Sequence, residues 1–230
     1  MADRAVIFDM DGVLVNSYRA HFEAWKRVAA RVGKDLTEEE FASTFGRRNR
    51  EIFRSLWGRH VPERQADALG DWKEAQYRRI LLSDFPAMDG AGELLAALKA
   101  AGFRLAVGSS GPPENVRAAL EGLAAAHLFD ATVDGSEVRA GKPEPEVFLK
   151  AAAKLGVGAR ACAVVEDAPA GVEAAVRAGM APIALTGTAP RERLVAAGAH
   201  LVVGSLRDLS PERIAALIAG HGGTATDLRR

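Results

Sequence analysis

Two acidic residues, Asp9 and Asp11, follow an apolar run near the start of the chain, in the stretch VIFDMDGVLVNS. The apolar run predicts a buried strand, and both acids lie at or just beyond its carboxyl end. In an open parallel sheet, ligands bind beyond the carboxyl ends of the strands, where the strand order reverses. A carboxylate at that place can attack phosphorus, and a second acid close by can transfer protons.

Polar residues in three later segments are placed so that they could join these two acids. Two of the segments are apolar runs that end in hydroxyls or in carboxylates. The third is the loop GKPEP, whose first proline biases the preceding lysine toward an extended conformation at the mouth of a site. The residues are Ser109 and Ser110 in the first segment, Glu166 and Asp167 in the second, and Lys142 in the loop.

Four carboxylates would therefore converge on one site. Like charges about 4 Å apart repel by roughly 4 kcal/mol at an effective dielectric of 20, so a cation is needed among them. Ligands that are all oxygen atoms favour a hard ion, and Mg²⁺ is the usual one where a phosphate supplies a further ligand. For Glu166, the roles of metal ligand, partner of a ligand and structural acid all remain open. The predicted ligands are Asp9, Asp11, Glu166 and Asp167.

The remaining groups suit a bound phosphoryl group. Ser109 offers a hydroxyl, its neighbours offer backbone N–H donors, and Lys142 offers a fixed positive charge. In that setting Asp9 would attack phosphorus to form an aspartyl phosphate. Asp11 would protonate the leaving oxygen and later deprotonate the attacking water. We interpret Asp9, Asp11, Ser109 and Lys142 as the catalytic residues, although Asp-Gly pairs also form turns and Ser110 could cap the helix after it.

The elements that must position these residues are typical of an α/β fold. From residue 84 onward, short apolar runs alternate with segments of helical periodicity, which predicts right-handed crossovers and a parallel sheet with helices on both faces. After the first strand, further strands are predicted at 103–109, around FDATVDG, at 161–167, at 181–186 and at 200–205. Helices are predicted between them and at 211–220.

Residues 16–83 interrupt this alternation with a block that is helical throughout. Thr37 and Glu40 form a capping-box pattern at one helix start, and two further helices are predicted at 48–58 and 62–82. A helical block inserted after the first strand of a sheet predicts a separate small domain. We therefore divide the chain into a catalytic core of residues 1–15 and 84–230 and a helical domain of residues 16–83.

Composition and charge narrow the class of protein. The 230 residues carry 30 basic and 30 acidic side chains, so no net charge favours binding to nucleic acid or to a membrane surface. The single cysteine, Cys162, is expected to be a buried and unreactive thiol. No apolar run has the length of a signal peptide or a membrane span. We expect a cytoplasmic monomer that acts on a small phosphorylated metabolite.

The motifs, in order, resemble those of the haloacid dehalogenase superfamily. The resemblance is carried by DMDGVL after the first strand, then GSS, then GKPEPEVF, then VVEDAPAGVEAA. It implies a Rossmann-like core, a four-helix cap inserted after the first strand that closes over the site, and Mg²⁺-dependent phosphoryl transfer. It also implies that Asp9 is the nucleophile, that Asp11 is the acid and base, and that Asp167, supported by Glu166, holds the metal.

Within the superfamily, the segment AHFEAW at 20–25 is similar to that of the group containing β-phosphoglucomutase and its related sugar-phosphate phosphatases. The presence of Asp11 disfavours dehalogenation, because a halide leaving group needs no proton. Two departures favour a phosphatase over a mutase. Phe45 stands where the mutase has a lysine in its cap loop, and Gly111-Pro112-Pro113 replaces its Lys-Asn after the serine motif.

The substrate contacts are the least defined part of the prediction. His21 lies on a helix stripe with Trp25 and Val28 and could be a packing residue or a functional one. The arginines near residue 47 could bind substrate or form a solvated face. The predicted substrate-binding residues are Gly12, Ser110, His21, Gly46, Arg47 and Arg50. The alternative functions are a β-phosphoglucomutase-like intramolecular phosphotransferase and, more distantly, a receiver-type phospho-acceptor module.

Overall fold

A computed structural model describes residues 4–44, 49–58 and 61–222 of the chain. The strands in these residues form one parallel sheet in the order β3-β2-β1-β4-β5-β6. The chain moves outward from β1 to β3 and then starts again beside β1 at β4, so the strand order reverses between β1 and β4. The strands are β1 (Ala5–Phe8), β2 (Arg104–Gly108), β3 (Ala131–Val133), β4 (Cys162–Glu166), β5 (Ala181–Leu185) and β6 (Leu201–Val203).

Residues Ser17–Pro86 form one compact unit that is helical in its described residues. Its core is a cluster of aromatic and aliphatic side chains that includes Trp25, Phe41 and Phe53. The predicted capping box is confirmed, because Thr37 and Glu40 each accept a backbone N–H of the other. The helices are α1 (Tyr18–Arg31), α2 (Glu38–Ala42), α3 (Asn49–Trp57) and α4 (Glu63–Ser83).

The remaining described residues form the second unit, which contains the sheet and the helices packed on it. Alternate strand residues face opposite sides: Ala5, Ile7 and Val164 belong to one core cluster together with apolar residues from the helices that follow β3 and β4. The helices of this unit are α5 (Ala91–Ala100), α6 (Pro113–Gly122), α7 (Glu146–Leu155), α8 (Pro169–Arg177), α9 (Arg191–Ala196) and α10 (Pro211–Gly222). The predicted α/β sheet with an inserted four-helix block is confirmed.

Two local expectations have different outcomes. Cys162 is fully buried at the start of β4, and burial raises the pKa of its thiol to about 11, so the expectation of a buried thiol is confirmed. Capping of α6 by Ser110 is wrong: the residue at the N-cap is Pro112, which has extended backbone geometry and no capping side chain. Proline fits there because the first helical N–H groups have no intrahelical partner anyway.

Within the described residues, no helix combines the length and the apolar character needed to cross a membrane.

Candidate active site

Asp9 and Glu166 lie side by side at the point where the strand order reverses. Asp9 comes directly after β1 and Glu166 is the last residue of β4, the parallel neighbour of β1. The register pairs Phe8 with Val165, and the Asp9 N–H continues the ladder by donating to the Val165 carbonyl at 2.9 Å. Because the strands are parallel and in this register, both carboxylates project from the same edge of the sheet.

Lys142 joins these two carboxylates. Its Nζ donates to Oδ1 of Asp9, and it donates to Oε1 of Glu166 at 2.5 Å. The three side chains are nearly buried, with the lysine side chain 11% exposed. The sequence predicts Lys142 at the mouth of the site, and the structure brings its ammonium group into contact with Asp9, the predicted nucleophile.

The ring of Phe148 packs against the ammonium group of Lys142, and Gly108 leaves room for that ring. The Lys142 Nζ lies 4.9 Å from the centroid of the Phe148 ring, within the range of a cation–π interaction. A Cβ at Gly108 would lie 3.1 Å from the Phe148 ring, so glycine at the end of β2 lets the ring approach. Lys142 lies in the loop directly before α7, so the helix that follows this loop supplies the ring that contacts its ammonium group.

Asp167 completes a set of three acidic residues that could hold a metal ion. Carboxylate oxygens of Asp9, Glu166 and Asp167 all lie within 4.8 Å of one another, and the three residues are buried. One ammonium group against three carboxylates leaves two negative charges, which a divalent cation would neutralise. All the donors are oxygen atoms, which suits a hard ion such as Mg²⁺. The residues present therefore fit the predicted metal.

Burial and mutual repulsion raise the pKa values of the acidic side chains in this site when no cation is bound. Burial raises the pKa of Asp9 to about 7, with repulsion from Glu166 adding to the rise and Lys142 opposing it. Burial, with repulsion from Glu166 and Asp9, also raises the pKa of Asp167 well above its usual value. Burial alone would lower the pKa of Lys142, but attraction by Asp9 and Glu166 raises it above its usual range. The site thus favours bound positive charge.

Both oxygens of Glu166 are engaged by groups of the protein. Oε1 accepts from Lys142, and Oε2 accepts from the backbone N–H groups of Asp167 and Ala168 at 3.0 and 3.1 Å. A Cβ at Gly171 would overlap the Glu166 carboxylate, so the glycine in the first turns of α8 makes room for it. The sequence left three roles open for Glu166: metal ligand, partner of a ligand and structural acid. These contacts favour the role of a partner that supports a ligand.

Gly12 lies against the carboxylate of Asp167. Its φ of +82° is in the left-handed region, and an ideal Cβ placed there would overlap Oδ2 of Asp167. A side chain at this position would therefore meet both a backbone penalty and a direct collision with a predicted metal ligand. The glycine after Asp11 is required by the packing of the acidic cluster, whereas its predicted contact with substrate stays a prediction.

Replacing Gly12 with alanine is expected to weaken Mg²⁺ binding by at least about tenfold and to destabilise the fold by about 2 kcal/mol. Gly102→Ala is the matched control, because Gly102 has a φ of +80° and nothing within 4 Å of an added Cβ. Gly102→Ala should lower the free energy of unfolding by about 1 kcal/mol, because it carries only the backbone penalty of alanine at a positive φ. Urea unfolding and calorimetric titration with Mg²⁺ measure the two effects. Equal Mg²⁺ affinity in both variants would contradict the steric argument.

Ser109 and Ser110 have different surroundings. Ser109 is buried, and its Oγ accepts the N–H of Gly111 at 3.0 Å. Ser110 is exposed, and its carbonyl packs so closely on Gly135 that a Cβ there would collide with it. The turn after β2 is therefore held by the loop after β3. The roles of both hydroxyls toward phosphate stay predictions.

Asp11 lies close enough to Asp9 to raise its pKa by repulsion. It is half-buried and pairs through its backbone with Val15 in an isolated bridge. Its carboxylate is not among the three that lie within 4.8 Å of one another in the described residues. Asp11 is thus close to Asp9, the predicted nucleophile, but is not one of the three residues of the acidic set.

A carboxylate on α7 organises the loop that carries Lys142. Oε2 of Glu146 accepts the backbone N–H groups of Arg139 and Ala140 at 2.8 and 3.1 Å, and its Oε1 pairs with Lys150 at 2.8 Å. The bond from Lys150, followed by those from Ala140 and Arg139, lowers the pKa of Glu146 to about 2. Glu146 therefore stays ionised and tethers the loop just before Lys142.

Replacing Glu146 with alanine is expected to lower kcat about tenfold, because Lys142 loses the loop geometry that aims it at Asp9. The effect should be constant between about pH 5 and 9, since the lowered pKa means that protonation releases the loop only as the pH falls toward 2. Glu144→Ala is the control: it removes an equal charge from the same loop, where Glu144 pairs with Arg177 on the surface. A similar kcat in both variants would contradict the positioning role.

Of the predicted substrate contacts in the helical unit, His21 has the most defined surroundings. Its Nδ1 lies 2.8 Å from the Nζ of Lys73, and its ring stacks on that of Tyr77 with centroids 3.9 Å apart. Lys73 is buried and also pairs with Glu74 at 3.0 Å. The position of Lys73 within α4 gives no sign in the sequence that a buried ammonium group contacts His21.

The other predicted contacts in this unit are less informative. Arg50 is exposed and forms a bidentate pair with Asp67, with N···O distances of 2.7 and 2.8 Å. This geometry matches a solvated ion pair on the helix surface. Gly46 and Arg47 lie outside the described residues, so their predicted contacts with substrate stay predictions.

Comparisons with known proteins identify the family to which the chain is similar. A family model described as haloacid dehalogenase-like hydrolase matches residues 4–179. The chain is 36% identical over 205 residues to validoxylamine A 7'-phosphate phosphatase from Streptomyces hygroscopicus subsp. limoneus, covering 84% of this chain and 91% of that protein. It is 32% identical over 216 residues to β-phosphoglucomutase from Bacillus subtilis (strain 168), covering 91% and 92% of the two chains.

The fold of this chain is also similar to that of a solved structure. The crystal structure of a HAD hydrolase of family IA, variant 3, from Entamoeba histolytica HM-1:IMSS superposes with a TM-score of 0.86. It is 29% identical in sequence and the match covers 94% of this chain and 99% of that one. The likeness extends over both units and not only over the sheet.

Proposed function

The chain belongs to the haloacid dehalogenase-like hydrolases, and within this family we propose that it is a Mg²⁺-dependent phosphatase of a small phosphorylated metabolite, such as a sugar phosphate. The observation that carries the proposal is the cluster of Asp9, Lys142, Glu166 and Asp167 at the reversal of the strand order. Relatives named as phosphatases of phosphorylated small molecules support the substrate class.

In the proposed reaction Asp9 is the nucleophile. Its carboxylate oxygen forms a bond to phosphorus as the bond from phosphorus to the leaving oxygen breaks, and Asp11 gives that oxygen a proton. Water then attacks the aspartyl phosphate, Asp11 takes the proton of the water, and inorganic phosphate leaves with the Asp9 carboxylate restored. Lys142 holds Asp9 in place and neutralises charge on the transferred group.

Asp9 and Asp167 are the proposed metal ligands of the acidic cluster, because both oxygens of Glu166 already bond to protein donors. When bound, Mg²⁺ would supply positive charge at the phosphoryl oxygens and lower the repulsion between them and the attacking carboxylate. Glu166 would act through Lys142 and through the backbone at the start of α8. The predicted ligand role of Asp11 is kept within the same proposal.

A β-phosphoglucomutase-like phosphotransferase is the second candidate, and the 32% identity to that enzyme from Bacillus subtilis favours keeping it. The turn after β2 favours the phosphatase. A mutase must hold a second phosphate, but Pro112 and Pro113 have no backbone N–H to offer. The N–H of Gly111 already donates to the Ser109 hydroxyl.

A panel of phosphorylated metabolites tests the proposal, with free phosphate and isomerised sugar phosphate measured in the same reactions. We expect phosphate release that requires Mg²⁺ and stops when a chelator is added. Isomerisation with little phosphate release, dependent on a sugar bisphosphate activator, would identify the mutase instead. If no small phosphate ester yields either product in the presence of Mg²⁺, the proposed function is wrong.

A further inference from the structure

The loop after β5 carries a hydroxyl group into the acidic cluster. Thr188 donates a hydrogen bond from Oγ1 to Oδ2 of Asp167. Asp167 is buried and belongs to the set of three carboxylates that could hold a metal ion. Thr188 lies outside the four motifs that carry the family resemblance.

The loop around Thr188 is anchored on both sides. Before it, the Thr186 N–H donates to the carbonyl of Val203 at 3.0 Å. After it, the methyl group of Ala189 is buried in a core cluster that includes Leu194 of α9. Between these anchors Gly187 has a φ of +146°, a backbone conformation that residues with a Cβ rarely adopt. The chain is therefore held in a path that places the Thr188 hydroxyl at Asp167.

The hydroxyl also lies against Gly12. A Cβ at Gly12 would be 3.0 Å from Oγ1 of Thr188 and would overlap Oδ2 of Asp167, so the three residues pack closely. The Asp167 carboxylate is thus confined by Gly12 on one side and bonded by Thr188 through one of its oxygens. A carboxylate confined in this way has one orientation, and Mg²⁺ demands near-ideal ligand geometry.

We propose that Thr188 is a positioning residue for the metal site, whose hydroxyl fixes the orientation in which the Asp167 carboxylate binds Mg²⁺. This inference rests on the proposed function, because it takes Asp167 to be a ligand. Groups that hold metal-binding side chains typically contribute 10–100-fold to metal affinity or activity. The loop after β5 is then a further part of the site, joined to β1 and β4 through Gly12 and Asp167.

Calorimetric titration with Mg²⁺ in the absence of substrate tests this role directly. Thr188→Val removes the hydroxyl with little change of shape, and Thr188→Ser retains it. The Kd for Mg²⁺ should rise 10–100-fold in Thr188→Val and stay within about threefold of the wild type in Thr188→Ser. Urea unfolding without metal should give similar curves for the three proteins, which a merely structural role of the hydroxyl would not predict.

The outcomes separate this inference from the proposed function. Wild-type Mg²⁺ affinity in Thr188→Val overturns the positioning role alone, and so does a rise in KM for substrate with an unchanged Kd for Mg²⁺. A wild-type protein that binds no Mg²⁺ overturns the proposed function and this inference with it. If Thr188→Val does not fold, Thr188→Ala gives the same comparison at a smaller volume.

Discussion

Replacing Asp9 with asparagine is expected to lower phosphate release by about 10⁴-fold or more, because the amide cannot form the aspartyl phosphate. The other groups of the site would remain: Lys142 keeps its bond to Glu166, and Asp167 keeps its bond to Thr188. The loss should therefore appear in kcat, with substrate binding still measurable by calorimetry. Release of phosphate from the best substrate of the panel is the measurement.

The fold should survive this change. Burial of the carboxylate, with repulsion from Glu166, raises the pKa of Asp9 to about 7, which shows that the charged form is disfavoured in the metal-free protein. A neutral amide of the same shape avoids that cost, although it gives up the ion pair with Lys142. We expect the free energy of unfolding without metal to be within about 1 kcal/mol of the wild type.

Asp35→Asn is the control, since it makes the same chemical change at an exposed position of the helical unit. It should leave turnover unchanged. Mass spectrometry of acid-quenched reactions should find a phosphoryl group on the peptide that contains Asp9 in the wild type and none in Asp9→Asn. Turnover near the wild-type rate in a correctly folded Asp9→Asn protein would refute the nucleophile assignment.

The fold could be predicted from the sequence because its signals are local. The alternation of apolar runs with helical periodicity marks each strand of the sheet, and the capping box at Thr37 marks a helix start within a few residues. The alternative role of Ser110 as the cap of α6 is wrong, although serine is the better cap by residue type, because the residue at the N-cap is Pro112. A turn held by contacts with the loop after β3 overrides local preference.

Part of the site could also be predicted, because the predicted strands determine which residues lie at strand ends. Residues at strand ends are brought together by topology, so Asp9, Glu166 and Asp167 follow from the order of the strands. The contact of Thr188 with Asp167 does not follow from that order, because it depends on how the loop after β5 packs against the end of β4. Thr188 does lie just beyond the end of β5, so extending the strand-end rule to every strand would have included it.

The helical unit shows more clearly which contacts local sequence patterns cannot predict. His21 lies on a stripe with Trp25, and periodicity cannot distinguish a packing histidine from a functional one. The decisive partner is Lys73, which is 52 positions away along the chain and meets His21 only when α1 packs on α4. Contacts between positions so far apart along the chain are not encoded in any local pattern.

Replacing Lys142 with methionine is expected to lower kcat by about 10²–10³-fold and to destabilise the metal-free protein by about 3–5 kcal/mol. Methionine has a similar length but leaves Asp9 and Glu166 buried without the ammonium group that bonds to both. Lys154→Met is the control, because Lys154 pairs with Glu137 at an exposed position and should contribute less than about 1 kcal/mol.

Addition of Mg²⁺ separates the two roles of Lys142. A divalent cation would replace some of the lost positive charge, so Mg²⁺ should raise the thermal stability of Lys142→Met more than that of the wild type. It should not restore kcat, because the lysine also aims Asp9 and neutralises the transferred group. Should Lys142→Met not fold, Lys142→Arg keeps the charge in a planar group that fits the two carboxylates differently, and a folded protein with reduced kcat is then expected. Full activity in either variant would show that the bond between Lys142 and Asp9 has no part in catalysis.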